Sequence, residues 1–273
     1  MALMDSWQRL QKQIVSCGRC PRLREHCANI ATVKRRAFAD CDYWGKPVPN
    51  LGEPLGRLLI VGLAPAAHGA NRTGRMFSGD RSGEFLFRAL HETGFCNQPG
   101  GAHPDDGLRL IDLAITAMAH CAPPDNKPTI EELENCRSFF DATIDTMPNL
   151  RGIVALGKIA FDGCVRLYRS RGWALPRPAP RFAHGALYEF PRAPFLLASF
   201  HPSQQNTFTG RLTPKMLRDV FRRATRLLSR PIEKPRAGWD QAFRNMHRRG
   251  DDRLLDESEA HAETEWDRAE WTW

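Results

Sequence analysis

Apolar positions in this 273-residue chain fall into two kinds of run that alternate. Four runs are short and nearly unbroken: residues 58–61 (LLIV), 113–120 (LAITAMAH), 152–157 (GIVALG) and 195–200 (FLLASF). Such density predicts parallel strands buried on both faces. Between them, apolar residues recur at helical spacing. Asp80 or Ser82 can cap a helix through Phe85, Leu86, Ala89 and Leu90. Thr129 and Glu132 form a capping box that opens a helix to about Thr146. Residues 158–168 follow the third strand as a helix. Thr213-Pro214 open another, with an apolar stripe through Leu217, Val220, Phe221, Ala224 and Leu228. Near the amino terminus, Trp7, Leu10 and Ile14 predict one more amphipathic helix over residues 5–15. Residues 22–56 are basic and end in Pro- and Gly-rich YWGKPVPNLGEPLG, which predicts irregular surface chain; residues 170–194 predict coil or an edge hairpin. Strands alternating with helices predict a three-layer α/β/α fold with a central, mainly parallel sheet.

The stretch that organises the chain runs from Arg57 to Gly83, RLLIVGLAPAAHGANRTGRMFSGDRSG. A buried strand breaks at Gly62 into a long loop of small residues before the next helix. Ordinary βα connections take about 2–6 residues. Small residues let backbone approach a ligand, and parallel α/β sheets bind ligands beyond the carboxyl ends of their strands. The loops after strands 57–63, 113–120 and 195–200 should therefore emerge at one edge, carrying Asp80, Asn126 and His201. Singly these residues are explained by a helix cap, a turn and a packed loop histidine. Together at one edge they make a candidate catalytic set.

Charge adds a partner. The net charge is +8, but residues 251–273 hold nine acidic and two basic side chains, so that segment carries −7 and the rest +15. A basic body calls for a polyanion, nucleic acid first. We expect residues 1–230 to form the folded domain and residues 231–273 a charged tail without a packed core, whose tryptophans either pack locally or engage a partner. No apolar run reaches membrane-spanning length and the amino terminus lacks the apolar core of a signal peptide, so a cytoplasmic monomer away from membranes is expected. Eight cysteines in such a chain point to metal ligation or burial rather than a disulfide framework. Cys17-Gly-Arg-Cys20-Pro21 is a metal-ligand pair or a redox turn, and no apolar strand precedes it as a thioredoxin-like unit would require.

Three stretches resemble the motifs of the type b (family 5) uracil-DNA glycosylases. They are Gly62-Leu63-Ala64-Pro65-Ala66-Ala67-His68-Gly69 with Asn71-Arg72-Thr73-Gly74 and Phe77-Ser78-Gly79-Asp80; Cys121-Ala-Pro-Pro with Asn126-Lys-Pro-Thr; and His201-x-Ser203-x-Gln205-Asn206-Thr207 with Thr209-Gly210-Arg211. The resemblance spans about residues 17–228. It implies a uracil-DNA glycosylase-like fold and hydrolysis of the N-glycosidic bond of uracil, and of other deaminated bases, in DNA. It implies that Asn126 reads the base edge and Phe77 stacks on the base, with Gly62, Leu63 and Ala64 lining the pocket. His201 would donate to the departing base, while Asp80 orients water and steadies the sugar cation. Arg72, Ser203, Gln204, Gln205 and Asn206 would contact DNA, the glutamines filling the gap left in the stack. It also implies that Cys17, Cys20, Cys121 and Cys136 ligate a [4Fe–4S] cluster. Spacing alone equally allows a Cys₄ zinc site, and Cys27 is a competing ligand. The rival expectation is a catalytically silent nucleic-acid-binding module on the same fold. The two differ in whether Asp80, Asn126 and His201 meet around one pocket.

Overall fold

A computed structural model describes residues 2–231 and 239–250. In chain order its elements are helices α1 (Ala2–Val15) and α2 (Pro21–Val33), strands β1 (Leu51–Gly52) and β2 (Leu58–Gly62), helices α3 (Ala70–Thr73) and α4 (Arg81–His91), strand β3 (Leu113–Ala117), helix α5 (Ile130–Asp145), strand β4 (Gly152–Leu156), helix α6 (Lys158–Ser170), strands β5 (Leu187–Phe190) and β6 (Ala193–Ser199), and helices α7 (Gln204–Phe208), α8 (Pro214–Leu228) and α9 (Trp239–Arg249). The chain divides into two compact units, Met1–Ser229 and Arg230–Trp273.

Within the first unit the strands form one sheet in the order β1-β3-β2-β4-β6-β5. The four strands expected from the apolar runs are its parallel centre, and β1 and β5 flank them antiparallel. The period-2 alternation of a strand sends successive residues to opposite layers. Leu58, Ile60, Ile115, Val154 and Leu197 face one core with α4 and α8. Leu59, Val61, Ala114, Ile153 and Leu196 face the other with α5 and α6, where Trp7 of α1 also packs. This is the expected α/β/α sandwich. The chain runs from β2 out to β3 and then back across to β4, so the loops after β2 and β4 diverge and leave a crevice at the carboxyl edge.

Residues 22–56 depart from the expected irregular chain. Pro21 stands at the first position of α2, which buries Leu23 and Cys27, and β1 adds an edge strand through Leu51 opposite Ile115. Pro at that position suits a helix start, and two buried residues suffice to dock it. Within residues 231–273 the described part is helix α9, and the expectation of a charged tail without a packed core is neither met nor overturned by it. The acidic stretch and its tryptophans Trp266, Trp271 and Trp273 lie outside the described residues. The hairpin of β5 and β6 fulfils the expectation for residues 170–194.

Candidate active site

The crevice is a cleft of about 630 Å³, within the usual range of ligand pockets. Asp80, Asn126 and His201 all line it, together with Gly62, Leu63, Ala64 and Phe77 from the loop after β2. Ser203, Gln204 and Gln205 line it from the loop after β6 and the start of α7. The three loops that carry the candidate catalytic residues thus meet at one edge.

The loop after β2 is shaped by a clamp. Arg75 is buried and grips Asp106 through two bonds of 2.8 and 2.6 Å, while its Nε donates to Ser78 Oγ at 2.5 Å. A bidentate guanidinium–carboxylate pair is strong and directional, and it holds the Asp106 carboxyl well below the usual carboxylate range. Arg75 and Ser78 bracket Phe77, whose φ of +55° is left-handed. Such a conformation costs an aromatic residue roughly 1–3 kcal/mol and persists only where its surroundings enforce it. Enforced, it turns the ring inward, stacked against the His201 imidazole with 5.8 Å between centroids and 30° between planes. Gly62 makes room for this ring: a Cβ there would stand 3.1 Å from its edge.

Asp80 has two roles that the sequence alone set against each other. Its Oδ1 accepts from the Gly83 N–H at 2.9 Å, making it the N-cap of α4. The same carboxyl lines the cleft, and burial raises its pKa against the lowering effect of the helix N–H groups. Gly69 is required beneath it, since a Cβ there would collide with Asp80 Oδ2. His201 leaves β6 into a burial that pushes its imidazole down to about 4, so it is neutral near pH 7. Asn126 stands exposed on the rim, and both it and Asp125 take left-handed backbone, with φ of +57° and +54°. Asn and Asp tolerate that region best among residues with a side chain.

Two residues expected to contact DNA do not line the cleft. Arg72 is buried; its Nε donates to the His68 carbonyl at 2.9 Å, Nη2 to the Gly79 carbonyl at 3.0 Å, and its guanidinium lies over Phe38. Asn206 turns its amide inward, donating to the His201 carbonyl at 2.8 Å. Both hold active-edge loops rather than line the cleft. Sequence reasoning missed the Arg75–Asp106 clamp, because its halves lie 31 residues apart. The i, i+3 spacing of Arg75 and Ser78 was the only local signal.

Cys17, Cys20, Cys121 and Cys136 line one small cavity between α2 and α5, with Arg19 and Arg24 at its wall. All eight cysteines are free, and Cys27, though outside that lining, has its thiol against that of Cys121 and near the Ala122 carbonyl, so it stays a competing ligand. Burial, the largest cause, and the neighbouring Cys20 and Cys17 push the Cys136 thiol up to about 11. Cys20 is raised by burial. A cationic group would be needed to hold these sulfurs as thiolates. His120 reaches the same cavity with its Nδ1 on the Val48 carbonyl at 2.7 Å and its buried Nε2 without a partner. Four thiols around one pocket are a donor set that an iron–sulfur cluster and a Cys₄ zinc site share. Among the described residues, no three Cys, His, Asp or Glu side chains close on a point as ligands of a single ion do. The surroundings are already docked: Arg22 pairs bidentately with Glu132 at 2.8 Å, and Arg19 donates to the Asn135 carbonyl and Ser138.

The sequence profile of the uracil DNA glycosylase superfamily matches residues 49–225. The chain is 51% identical over 219 residues to a type-5 uracil-DNA glycosylase of Mycobacterium tuberculosis, covering 80% of each chain. It is 45% identical to that of Thermus thermophilus, covering 78% of this chain and 94% of the relative, and 40% identical to that of Pyrobaculum aerophilum, covering 78% and 89%. A mixed sheet with a cleft at its carboxyl edge, and identity of this depth across most of the length, lead to one conclusion: the chain belongs to the uracil-DNA glycosylase superfamily, among its type-5 members.

Proposed function

We propose that this chain hydrolyses the N-glycosidic bond of uracil in DNA, and of other deaminated bases, so initiating base excision repair. The observation that carries the reading is the meeting of Asp80, Asn126 and His201 in one cleft. A silent binding module needs no such convergence. The activity for which the relatives are named points the same way. A duplex base is out of reach, so the nucleotide is flipped into the cleft at a cost of a few kcal/mol. There Asn126 hydrogen-bonds the base edge while Phe77 and the backbone of Gly62–Ala64 form the floor. Cleavage leaves negative charge on the base and positive charge on the sugar. A neutral His201 donates a hydrogen bond to the anion without surrendering a proton, the work of an oxyanion-hole donor. Burial makes Asp80 a better base for water and a close counter-charge for the sugar.

Cys17, Cys20, Cys121 and Cys136 would hold a [4Fe–4S] cluster as a structural staple between the amino-terminal segment and α5. Thiols spread around a pocket suit the separate metal corners of a cluster. Residues 1–230 would be the glycosylase domain and 231–273 an appendage, in a cytoplasmic monomer. Among the described residues no helix is long and apolar enough to cross a membrane. Incubation with a uracil-containing oligonucleotide should yield alkali-labile abasic sites. An intact strand after exhaustive incubation with pure, folded protein would leave only the binding module.

A further inference from the structure

Beside the catalytic cleft lies a second cavity, of about 250 Å³, that the proposed reaction does not use. Its walls are the outer face of α4, through Arg81, Glu84 and Arg88, and the far end of α7, through Thr207 and Phe208. Phe208 is 66% exposed, a marked cost for an aromatic side chain. The Arg81 guanidinium stands over its ring, 5.2 Å from the centroid. Arg88 adds a second positive charge. Glu92 is neutralised by Arg218 at 2.8 Å, and Glu84 is left as an acceptor for a base amino group.

Resting on the glycosylase reading above, we propose that this groove is a second nucleotide site, which takes the base adjacent to the extruded uracil in the same strand. Continuity and charge both support it. Asp80 and Ser82 line the cleft while Arg81 lines the groove; Gln204 and Gln205 line the cleft while Thr207 and Phe208 line the groove. Along a helix, Gln205 to Phe208 is about 4.5 Å. One nucleotide step is about 3.4 Å in stacked duplex and longer in an extended strand. A strand that leaves the cleft past Gln205 and follows α7 brings its next nucleotide to Phe208. An aromatic face beside two arginines is the chemistry that single-stranded nucleic acid selects, stacking base on ring and phosphate on guanidinium. In a duplex the neighbouring base is held in its own stack. The groove therefore acts chiefly on single-stranded or locally opened DNA.

The test compares wild type, Phe208→Ala and Phe208→Trp, all full-length, on single-stranded uracil oligonucleotides. Stacking on an aromatic residue is worth roughly a 5- to 150-fold change in affinity. Phe208→Ala should raise KM by a factor in that range with kcat nearly unchanged, and Phe208→Trp should restore it. An oligonucleotide whose nucleotides flanking uracil lack bases should show no difference between variants. 2-Aminopurine placed next to uracil should be quenched on binding wild type and not on binding Phe208→Ala. This last readout needs no turnover, so it tests the groove even if uracil release fails. Unchanged KM and quenching in Phe208→Ala would overturn the proposal. So would an equal loss on the substrate without flanking bases. A loss confined to duplexes carrying a base opposite uracil would assign Phe208 to the orphaned partner instead, and would also overturn it.

Discussion

Asp80 is asked to cap a helix and to act on water, and two substitutions separate these roles. Asn and Asp are about equal as N-caps, whereas Ala removes the acceptor at a cost of about 1 kcal/mol. For a domain of this size that loss lowers Tm by about 2–4 °C. Asp80→Asn and Asp80→Ala both lack the charge, so the Tm gap between them measures the loss of the capping side chain: its bond from Gly83 and its packing against Gly69. The gap between Asp80→Asn and wild type measures the buried charge. Burial raises the Asp80 pKa above its usual 3.8. The folded state then holds its proton more tightly than the unfolded, and stability from this group is full below 3.8 and falls as pH rises through the raised value. Asp80→Asn should therefore gain on wild type as pH rises from 3.8 through the raised value, and hold that gain above it. Its uracil release, measured in single turnovers, should nevertheless fall by about 10²–10⁴, as for loss of a general base. A variant more stable and nearly inactive would show stability yielded to chemistry. Near-wild-type release by Asp80→Asn would return Asp80 to the role of a cap. An Asp80→Asn protein less stable at pH 8 would mean that the α4 N-terminus outweighs burial.

Other substitutions probe the remaining parts. His201→Ala should slow release by about 10²–10³, with a smaller penalty for a base that departs more easily, such as 5-fluorouracil; Asp80 variants should not share that dependence. With its imidazole at about 4, His201 should impose no ionisation on the rate between pH 6 and 8, and a break there lost in His201→Ala would refute the neutral donor. Protein purified without oxygen should be brown and contain iron, and Cys136→Ser should be paler and melt lower; a colourless protein with stoichiometric zinc would sink the cluster. Deleting residues 231–273, which carry a net charge of −4, raises the net charge of the chain from +8 to +12, so non-specific DNA binding should tighten at low salt and depend more steeply on salt.

The parallel centre of the sheet was legible because residues buried on both faces leave unbroken apolar runs. Thr129 with Glu132, and Thr213 with Pro214, marked helix starts because the bonds that close a cap are local. Elements docked by little buried surface left a fainter trace. α2 buries only Leu23 and Cys27, β1 pairs through two residues, and α7 has five residues and no buried side chain. In these cases position is set by partners distant in sequence, such as Glu132 for Arg22.

At the site, the loops that carry Asp80, Asn126 and His201 could be placed from topology alone, since parallel strands put their carboxyl ends at one edge. What topology does not give is which way a side chain turns. Arg72 and Asn206 have the charge and polarity of DNA contacts, yet each satisfies carbonyls of the loop beside it. The reason is physical. The loop that holds Phe77 in a left-handed conformation and Asp80 against a glycine closes several backbone bonds, but these do not take up the carbonyls of His68 and Gly79. Its buried carbonyls need donors, because an unsatisfied one costs about 1–3 kcal/mol. Arginine and asparagine supply them. Phe208 shows the opposite case: nothing in its local sequence marks an exposed aromatic, and only the fold shows that it stands uncovered beside the cleft. The polar residues nearest Asp80 and His201 are therefore those the scaffold can spare least, which leaves Ser203, Gln204 and Gln205 for the proposed contact with DNA.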